Sequence, residues 1–284
     1  MKKVLIIGSS GLLGQHLYNY LIRYKKLEIT RFIRNKKNDL SNINFCNKYF
    51  KRNKYEIIIY LSAVTDIDLC EANKRKVYKI NFLCLKNLVN YSTRYNKNSY
   101  FIFTSTDQFY NKFKTNYEKK SIISNYYTKT KFLGENFLAK KNACVLRTNF
   151  FGKSITKKRF SFSDFIFTNL KNKKKIYLAD DLLFSPVYIR SLCKLIYNLC
   201  YRKVIGKFNF GSKKGFSKLK FGIYFAKKLR LNTDLINKVS YRDLNFKVDR
   251  PKDMRMKVGI LNNKLNIKLK TLKEEIDMAI NDYK

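Results

Sequence analysis

The chain of 284 residues carries 61 lysines and arginines against 20 aspartates and glutamates, a formal net charge of +41, with 45% hydrophobic and 15% aromatic residues. That composition belongs to a folded chain long enough to bury a substantial core, and two prolines with ten glycines exclude collagen-like or low-complexity architecture. Cys46, Cys70, Cys84, Cys144, Cys193 and Cys200 form no Cys-x-x-Cys pair and His16 is the single histidine, so a metal site is not expected and reduced thiols in a cytoplasm are.

Met1-Lys2-Lys3 followed by Val4-Leu5-Ile6-Ile7 imitates a signal peptide, but the apolar run ends at Gly8, short of the about 7 to 15 residues of a secretory core. No stretch reaches the roughly 18 apolar residues of a membrane span. The run reads instead as a strand, followed by Gly8-Ser9-Ser10-Gly11-Leu12-Leu13-Gly14 and then Leu17, Leu21 and Ile22 at helical spacing. Strand, glycine turn and helix in this order suit a dinucleotide. Gly8 permits the tight turn, Gly11 lets the backbone approach a diphosphate, and Gly14 lets the helix pack close to the sheet. The amides of Ser10, Gly11 and Leu12 then sit near the positive end of the helix dipole, where phosphates bind.

Further apolar runs recur at residues 27–33, 56–61, 100–104 and 145–147, separated by polar or helical intervals at 77–95 and 126–138. Near-continuous apolar strands alternating with helices predict an α/β fold, a doubly wound parallel Rossmann sheet with a small C-terminal substrate-binding lobe. The rhythm changes near residue 150. Residues 1–150 are read as the dinucleotide-binding core and 151–284 as mainly the substrate lobe, with some elements returning to the core.

The second strand ends in Arg31-Phe32-Ile33-Arg34 where an acidic residue would mark NAD. A guanidinium pairs well with a 2′-phosphate, so NADPH is the expected cofactor with NADH left open; Arg31 and Arg34 read equally well as solvated cations. Asp39 is an adenine-side candidate.

The strand Phe101-Ile102-Phe103-Thr104 turns polar in Ser105-Thr106-Asp107-Gln108, at the carboxyl end where open parallel sheets bind ligands. Tyr127 and Lys131 follow on a predicted helix, four apart and hence on one face. A neighbouring ammonium favours the phenolate; moving a tyrosine by about three pH units takes about 4 kcal/mol of differential interaction. Thr106 can hydrogen-bond the same substrate oxygen.

These motifs, Gly8-x-x-Gly11-x-x-Gly14, Ser105-Thr106-Asp107 and Tyr127-x-x-x-Lys131, resemble the extended short-chain dehydrogenase/reductases that act on nucleotide sugars. Leu61-Ser62-Ala63-Val64-Thr65-Asp66-Ile67-Asp68 with Glu71 and Asn81, then Thr130-Lys131-x-x-Gly134-Glu135, then Arg250-Pro251 with Met254-Arg255-Met256, are similar to dTDP-4-dehydrorhamnose reductases. The resemblance runs from residue 3 to about residue 270. It implies Tyr127 as proton donor to a 4-keto oxygen, Lys131 as its tuner and a ribose ligand, and Thr106 as the group that positions the carbonyl. It also implies Leu61, Ser62 and Ala63 beside the cofactor, and Asp107, Asn149, Ser185 and Arg250 beside the sugar nucleotide. Arg147 is open between a substrate neighbour and an internal ion-pair partner. Gln108 stands where 4,6-dehydratases carry a glutamate, and an amide cannot abstract a proton, which disfavours dehydration. Thr128 departs from the family's usual glycine, and Ile123 from its usual proline.

The resemblance implies NADPH-dependent carbonyl reduction in surface polysaccharide synthesis. Another sugar-nucleotide reductase or epimerase, or a non-catalytic NADP-binding regulatory subunit, remains as an alternative. The lysines are spread over the whole chain, so the charge is read as a solvated surface and not as a dedicated nucleic-acid face. A homodimer paired through helices like the one carrying Tyr127 is the assembly the family suggests.

Overall fold

The computed structural model describes residues 1–111, 116–156 and 160–284. In chain order it contains β1 (Lys2–Ile7), α1 (Leu12–Leu21), β2 (Leu27–Phe32), α2 (Ile43–Arg52), β3 (Ile57–Tyr60), α3 (Ile67–Ala72), α4 (Lys74–Tyr78), a π-helical turn (Lys79–Leu83), α5 (Cys84–Tyr95), β4 (Tyr100–Thr106), α6 (Tyr126–Leu138) and β5 (Ala143–Thr148). There follow β6 (Phe150–Phe151), α7 (Phe162–Lys171), β7 (Ile176–Ala179), β8 (Leu183–Phe184), β9 (Val187–Tyr188), α8 (Ile189–Tyr201), β10 (Gly206–Phe210), β11 (Phe216–Ser217), α9 (Lys218–Lys228), β12 (Ile236–Val239), α10 (Ile260–Leu265) and α11 (Leu272–Ala279). Two compact units are woven from this chain. One is Met1–Thr106, Ile123–Leu146 and Cys193–Phe208; the other is Asp107–Ile122, Arg147–Leu192 and Asn209–Lys284.

The first unit is built on the six-stranded sheet, ordered β10-β5-β4-β3-β1-β2. The pairs β1–β2, β1–β3 and β3–β4 are parallel, with Ile7 level with Phe32 on one side and Tyr60 on the other. Because successive residues of a strand face opposite ways, a sheet covered on both faces needs unbroken apolar strands. Leu5, Ile7, Ile58, Tyr60, Phe101, Phe103 and Val145 accordingly share one core with Cys46 and Phe50 of α2, Leu85, Leu88 and Val89 of α5, and Leu138 of α6. The alternate residues Val4, Ile6, Ile57, Ile59, Tyr100 and Ile102 are equally buried. Each such side chain contributes about 1.5 to 3 kcal/mol. Strand order reverses between β1 and β3, which makes their carboxyl ends the topological switch point of the sheet, where open α/β sheets bind ligands.

The second unit is held by short strand pairs, β8 with β11 antiparallel and β7 with β12 and β6 with β9 parallel. Its core is aromatic: Phe221 lies 4.9 Å from Phe151, 5.4 Å from Phe162 and 5.5 Å from Phe184 between ring centres. Among the described residues no helix is long and apolar enough to cross a membrane, and no cluster of side chains could hold a metal ion.

Candidate active site

The turn from β1 into α1 gives its glycines separable jobs. Gly8 has φ +85°, and a Cβ there would stand 2.7 Å from the Ser62 amide nitrogen. A Cβ on Gly14 would stand 2.2 Å from the Gly8 carbonyl oxygen, so this residue is what lets α1 seat against the turn. A Cβ on Gly11 meets only the Gly8 oxygen, at 3.3 Å, so its bareness serves the outer face of the turn rather than internal packing.

α1 has Gly11 at its cap position, hence no side-chain cap, and no acid in its first turn. α2, α3, α6, α7, α9 and α11 are all capped by side chains. The amides and the positive dipole end of α1 are thereby left for an anion. The Ser9 hydroxyl, 1% exposed, has no hydrogen-bond partner. An orphaned buried hydroxyl beside an uncapped helix fits a phosphate-bearing group.

A cavity of about 220 Å3 adjoins this turn, lined among others by Gly8, Ser10, Arg34, Tyr60 and Ser62. Arg34 lies on its wall, whereas the Arg31 guanidinium stacks 4.7 Å from the Tyr18 ring centre. Asp39 takes ion pairs from Lys79 at 3.1 Å and Arg34 at 3.7 Å. Partial burial opposes its charge, but hydrogen bonds from Ser41 and Lys79 and the Arg34 charge hold the carboxyl below its ordinary value. Leu12 opens α1, and Leu61, Ser62 and Ala63 leave β3, where the Leu61 amide donates to the Ile7 carbonyl at 2.9 Å.

The π-helical turn adds the feature that a single helical run over 77–95 would not have. One extra residue in the turn swings Asn81 inward, fully buried. Its Oδ1 accepts from the Val64 amide at 2.8 Å, and its Nδ2 donates to the Val64 carbonyl and the Thr130 hydroxyl, both at 3.1 Å. The segment after β3 is so tied to α6.

α6 carries the tyrosine and lysine. Asn125 caps it, and Thr128 completes the box: its amide donates to Asn125 Oδ1 at 2.9 Å while its hydroxyl accepts from the Asn125 amide at 3.1 Å. Threonine in place of the family's glycine therefore has a local reason. Glu71, ion-paired to Lys74 at 2.8 Å, accepts from the Tyr126 amide at 3.0 Å. Tyr127 and Lys131 lie one turn apart, 8% and 3% exposed. Lys131 Nζ donates to the Thr104 carbonyl at 2.7 Å and lies 4.1 Å from the Phe103 ring centre. Burial pulls its pKa down to about 7, with the Glu135 charge opposing. Glu135 is itself buried, accepting from Ser105 Oγ at 2.6 Å and pairing with Lys207 at 3.5 Å. The geometry thus sets a phenol and an ammonium on one buried helix face, the lysine against the end of β4, where Thr106 is 4% exposed.

Within the second unit Asp107 and Asn149 meet, the Asn149 amide donating to Asp107 Oδ2 at 2.7 Å. Burial raises the Asp107 carboxyl to about 6, against the Asn149 hydrogen bond and the Lys218 charge. Gln108 Nε2 lies 2.9 Å from Met254 Sδ. Ser185 is 1% exposed and its hydroxyl accepts from the Met256 amide at 3.0 Å. Arg250 stacks its guanidinium 4.2 Å from the Phe246 ring centre. Arg147 is fully buried: it donates to Tyr110 Oη at 2.9 Å, the Lys120 carbonyl at 2.6 Å and Ser121 Oγ, and stacks 4.4 Å from the Phe109 ring centre. These contacts make it a fastener of Phe109, Tyr110, Lys120 and Ser121. Lys218, whose charge acts on Asp107, carries no sequence motif; only the fold reveals it.

The whole chain, residues 1–284, matches the family model described as the RmlD substrate binding domain. The spore coat polysaccharide biosynthesis protein SpsK of Bacillus subtilis is 27% identical over 210 residues, 70% of each chain. The dTDP-4-dehydrorhamnose reductase of Bacillus anthracis, solved in complex with NADP, superposes with a TM-score of 0.87 at 21% identity over 99% of each chain. That of Yersinia enterocolitica superposes with a TM-score of 0.87 at 19% identity over all of both chains. A glycine turn at the switch point of a six-stranded sheet, a helix bearing Tyr127 and Lys131, and a match over every residue make this chain a member of the RmlD substrate-binding-domain family, within the extended short-chain dehydrogenase/reductases.

Proposed function

We propose that the chain reduces the 4-keto group of a nucleotide-linked 6-deoxyhexose with NADPH, the reaction for which its dTDP-4-dehydrorhamnose reductase relatives are named. One observation carries the reading: Tyr127 and Lys131 are buried one turn apart on α6, with the lysine ammonium 2.7 Å from the carbonyl of Thr104 at the end of β4. Tyr127 donates a proton to the keto oxygen, Lys131 favours the phenolate left behind, and Thr106 orients the carbonyl. NADPH, when bound, supplies the hydride. Ser10, Gly11 and Leu12 receive its diphosphate on the turn that Gly8 and Gly14 shape; Leu61, Ser62 and Ala63 flank it; Arg34, on the cavity wall, is the better placed of the two arginines for a 2′-phosphate. Asp107, Asn149 and Arg250 are the proposed sugar-nucleotide contacts. Ser185, its hydroxyl engaged by Met256, supports their segment. The likeness to a spore coat polysaccharide protein favours supply of an activated deoxysugar to a surface polysaccharide.

The test is a panel of nucleotide-linked keto-sugars, led by dTDP-4-dehydrorhamnose, with NADPH and NADH followed by nicotinamide absorbance. Tyr127→Phe is expected to lose about a hundredfold or more in kcat while binding NADPH as before. An unchanged rate would overturn the mechanism, and no turnover on any keto-sugar would overturn the reductase reading.

A further inference from the structure

The cavity beside the glycine turn carries three charges at its rim. Arg34, Leu40 and Ile80 line it, and Asp39 and Lys79 immediately precede the last two. Asp39 Oδ2 stands between the cations, 3.1 Å from Lys79 Nζ and 3.7 Å from Arg34 Nη2. The first distance is that of a hydrogen-bonded ion pair and the second is too long for one. The carboxylate is therefore engaged by the lysine, and the planar fork of Arg34 is not taken up by the carboxylate.

Both flanks of the pair are fixed. The Ser41 amide donates to Asp39 Oδ1 at 3.0 Å, and Asn87 of α5 donates to the Leu40 and Ser41 carbonyls at 3.1 and 3.2 Å. Lys79 opens the π-helical turn, and Tyr60, on the cavity wall, donates its hydroxyl to the Ile80 carbonyl at 2.9 Å. With the Lys79 side chain 46% exposed, the pair adds little to folding. What it changes is the charge that the cavity mouth presents. A bare carboxylate there would repel a phosphate and draw the Arg34 guanidinium to itself.

We propose that Lys79 sets the cofactor preference as a positioning residue: by neutralising Asp39 it leaves the Arg34 guanidinium to the 2′-phosphate of NADP(H), the one group by which that dinucleotide differs from NAD(H). The proposal rests on the reading of Arg34 as the phosphate ligand, and adds a residue on a different element that decides whether Arg34 is available. Lys79 acts through the carboxylate and makes no contact with the phosphate.

The test is calorimetry of NADP+ and NAD+ binding to the full chain, with no sugar present and at low ionic strength. The ratio of the two dissociation constants isolates the 2′ corner, since all else is common to both ligands. The wild type is expected to favour NADP+ by about tenfold or more. Lys79→Met should cut that preference about tenfold, with NAD+ affinity held within about twofold and an unchanged melting temperature. Lys79→Arg, which keeps the charge, should stay within about threefold of the wild type. Lys79→Gln replaces the methionine variant if that one fails to fold. In an Asp39→Asn background the carboxylate is gone, and adding Lys79→Met should change the preference by less than about threefold. A loss of equal size in both backgrounds would show the lysine acting on the phosphate directly and would overturn the proposal. So would a preference that Lys79→Met leaves unmoved, or a wild type that favours NAD+. A chain that follows this cycle yet reduces no keto-sugar overturns the reductase reading and leaves the role of Lys79 standing.

Discussion

Lys131 is held by groups that pull it both ways. Burial favours the neutral amine, while the Phe103 ring face, the Thr104 carbonyl and the Glu135 charge favour the ammonium, and the balance falls near 7. The support that Lys131 gives a Tyr127 phenolate is therefore present on the acid side and fades as pH rises through about 7. Nuclear magnetic resonance of ε-labelled lysines in the cofactor-free protein should show one midpoint near 7, moving lower in Glu135→Gln; a lysine set titrating entirely above 10 would contradict this. That Tyr127 and Lys131 share one face of a helix was legible from their spacing alone. The part played by Glu135 was not, because its partners Ser105 and Lys207 come from β4 and β10, and strand pairing across the sheet leaves no mark in local spacing. Arg147 was open for the same reason: its donors reach Tyr110, Lys120 and Ser121, a segment that nothing near residue 147 announces.

At the level of elements, the β1–α1 turn separates two uses of glycine. Gly14→Ala forces a methyl to 2.2 Å from the Gly8 carbonyl and should cost about 2 kcal/mol or more in chemical denaturation, along with cofactor binding. Gly11→Ala meets one atom at 3.3 Å and should fold at near wild-type stability while binding NADPH about tenfold or more weakly. Equal loss of stability in both would mean that Gly11, too, serves packing. The glycine spacing made the turn readable, and apolar runs made β1, β3 and β4 readable, since a strand buried on both faces has no polar alternation to confuse it. The π-helical turn leaves no mark in the sequence, because a register change of one residue alters neither composition nor the apolar spacing of α4 and α5, although it is what delivers Asn81 to Val64 and Thr130.

Across the molecule, a net charge of +41 is a standing self-repulsion. Exposed pairs such as Lys3 with Glu28 and Lys268 with Glu274 offset little of it. Added salt should therefore raise the melting temperature, by several degrees between about 10 and 150 mM NaCl as the Debye length falls from about 30 to 8 Å. A fall would show that attractive pairs dominate. The fold class followed from the alternation of strands and helices, but the crossings between the two units at 107, 123, 193 and 209 carry no mark in the composition of the chain.

That weave has a consequence for synthesis. β5 is complete in the nascent chain at residue 148, but β10, which lies beside it as the last strand of the sheet, follows only at residues 206–210. With about 20 residues added per second at most, β5 waits some seconds with one hydrogen-bonding edge unmatched while its ribosome works on. Its first four residues, Ala143 to Leu146, are apolar and buried once folding is done, so the waiting strand offers an apolar stretch, and a polysome crowded with such edges is where this chain is most open to sticking to its siblings.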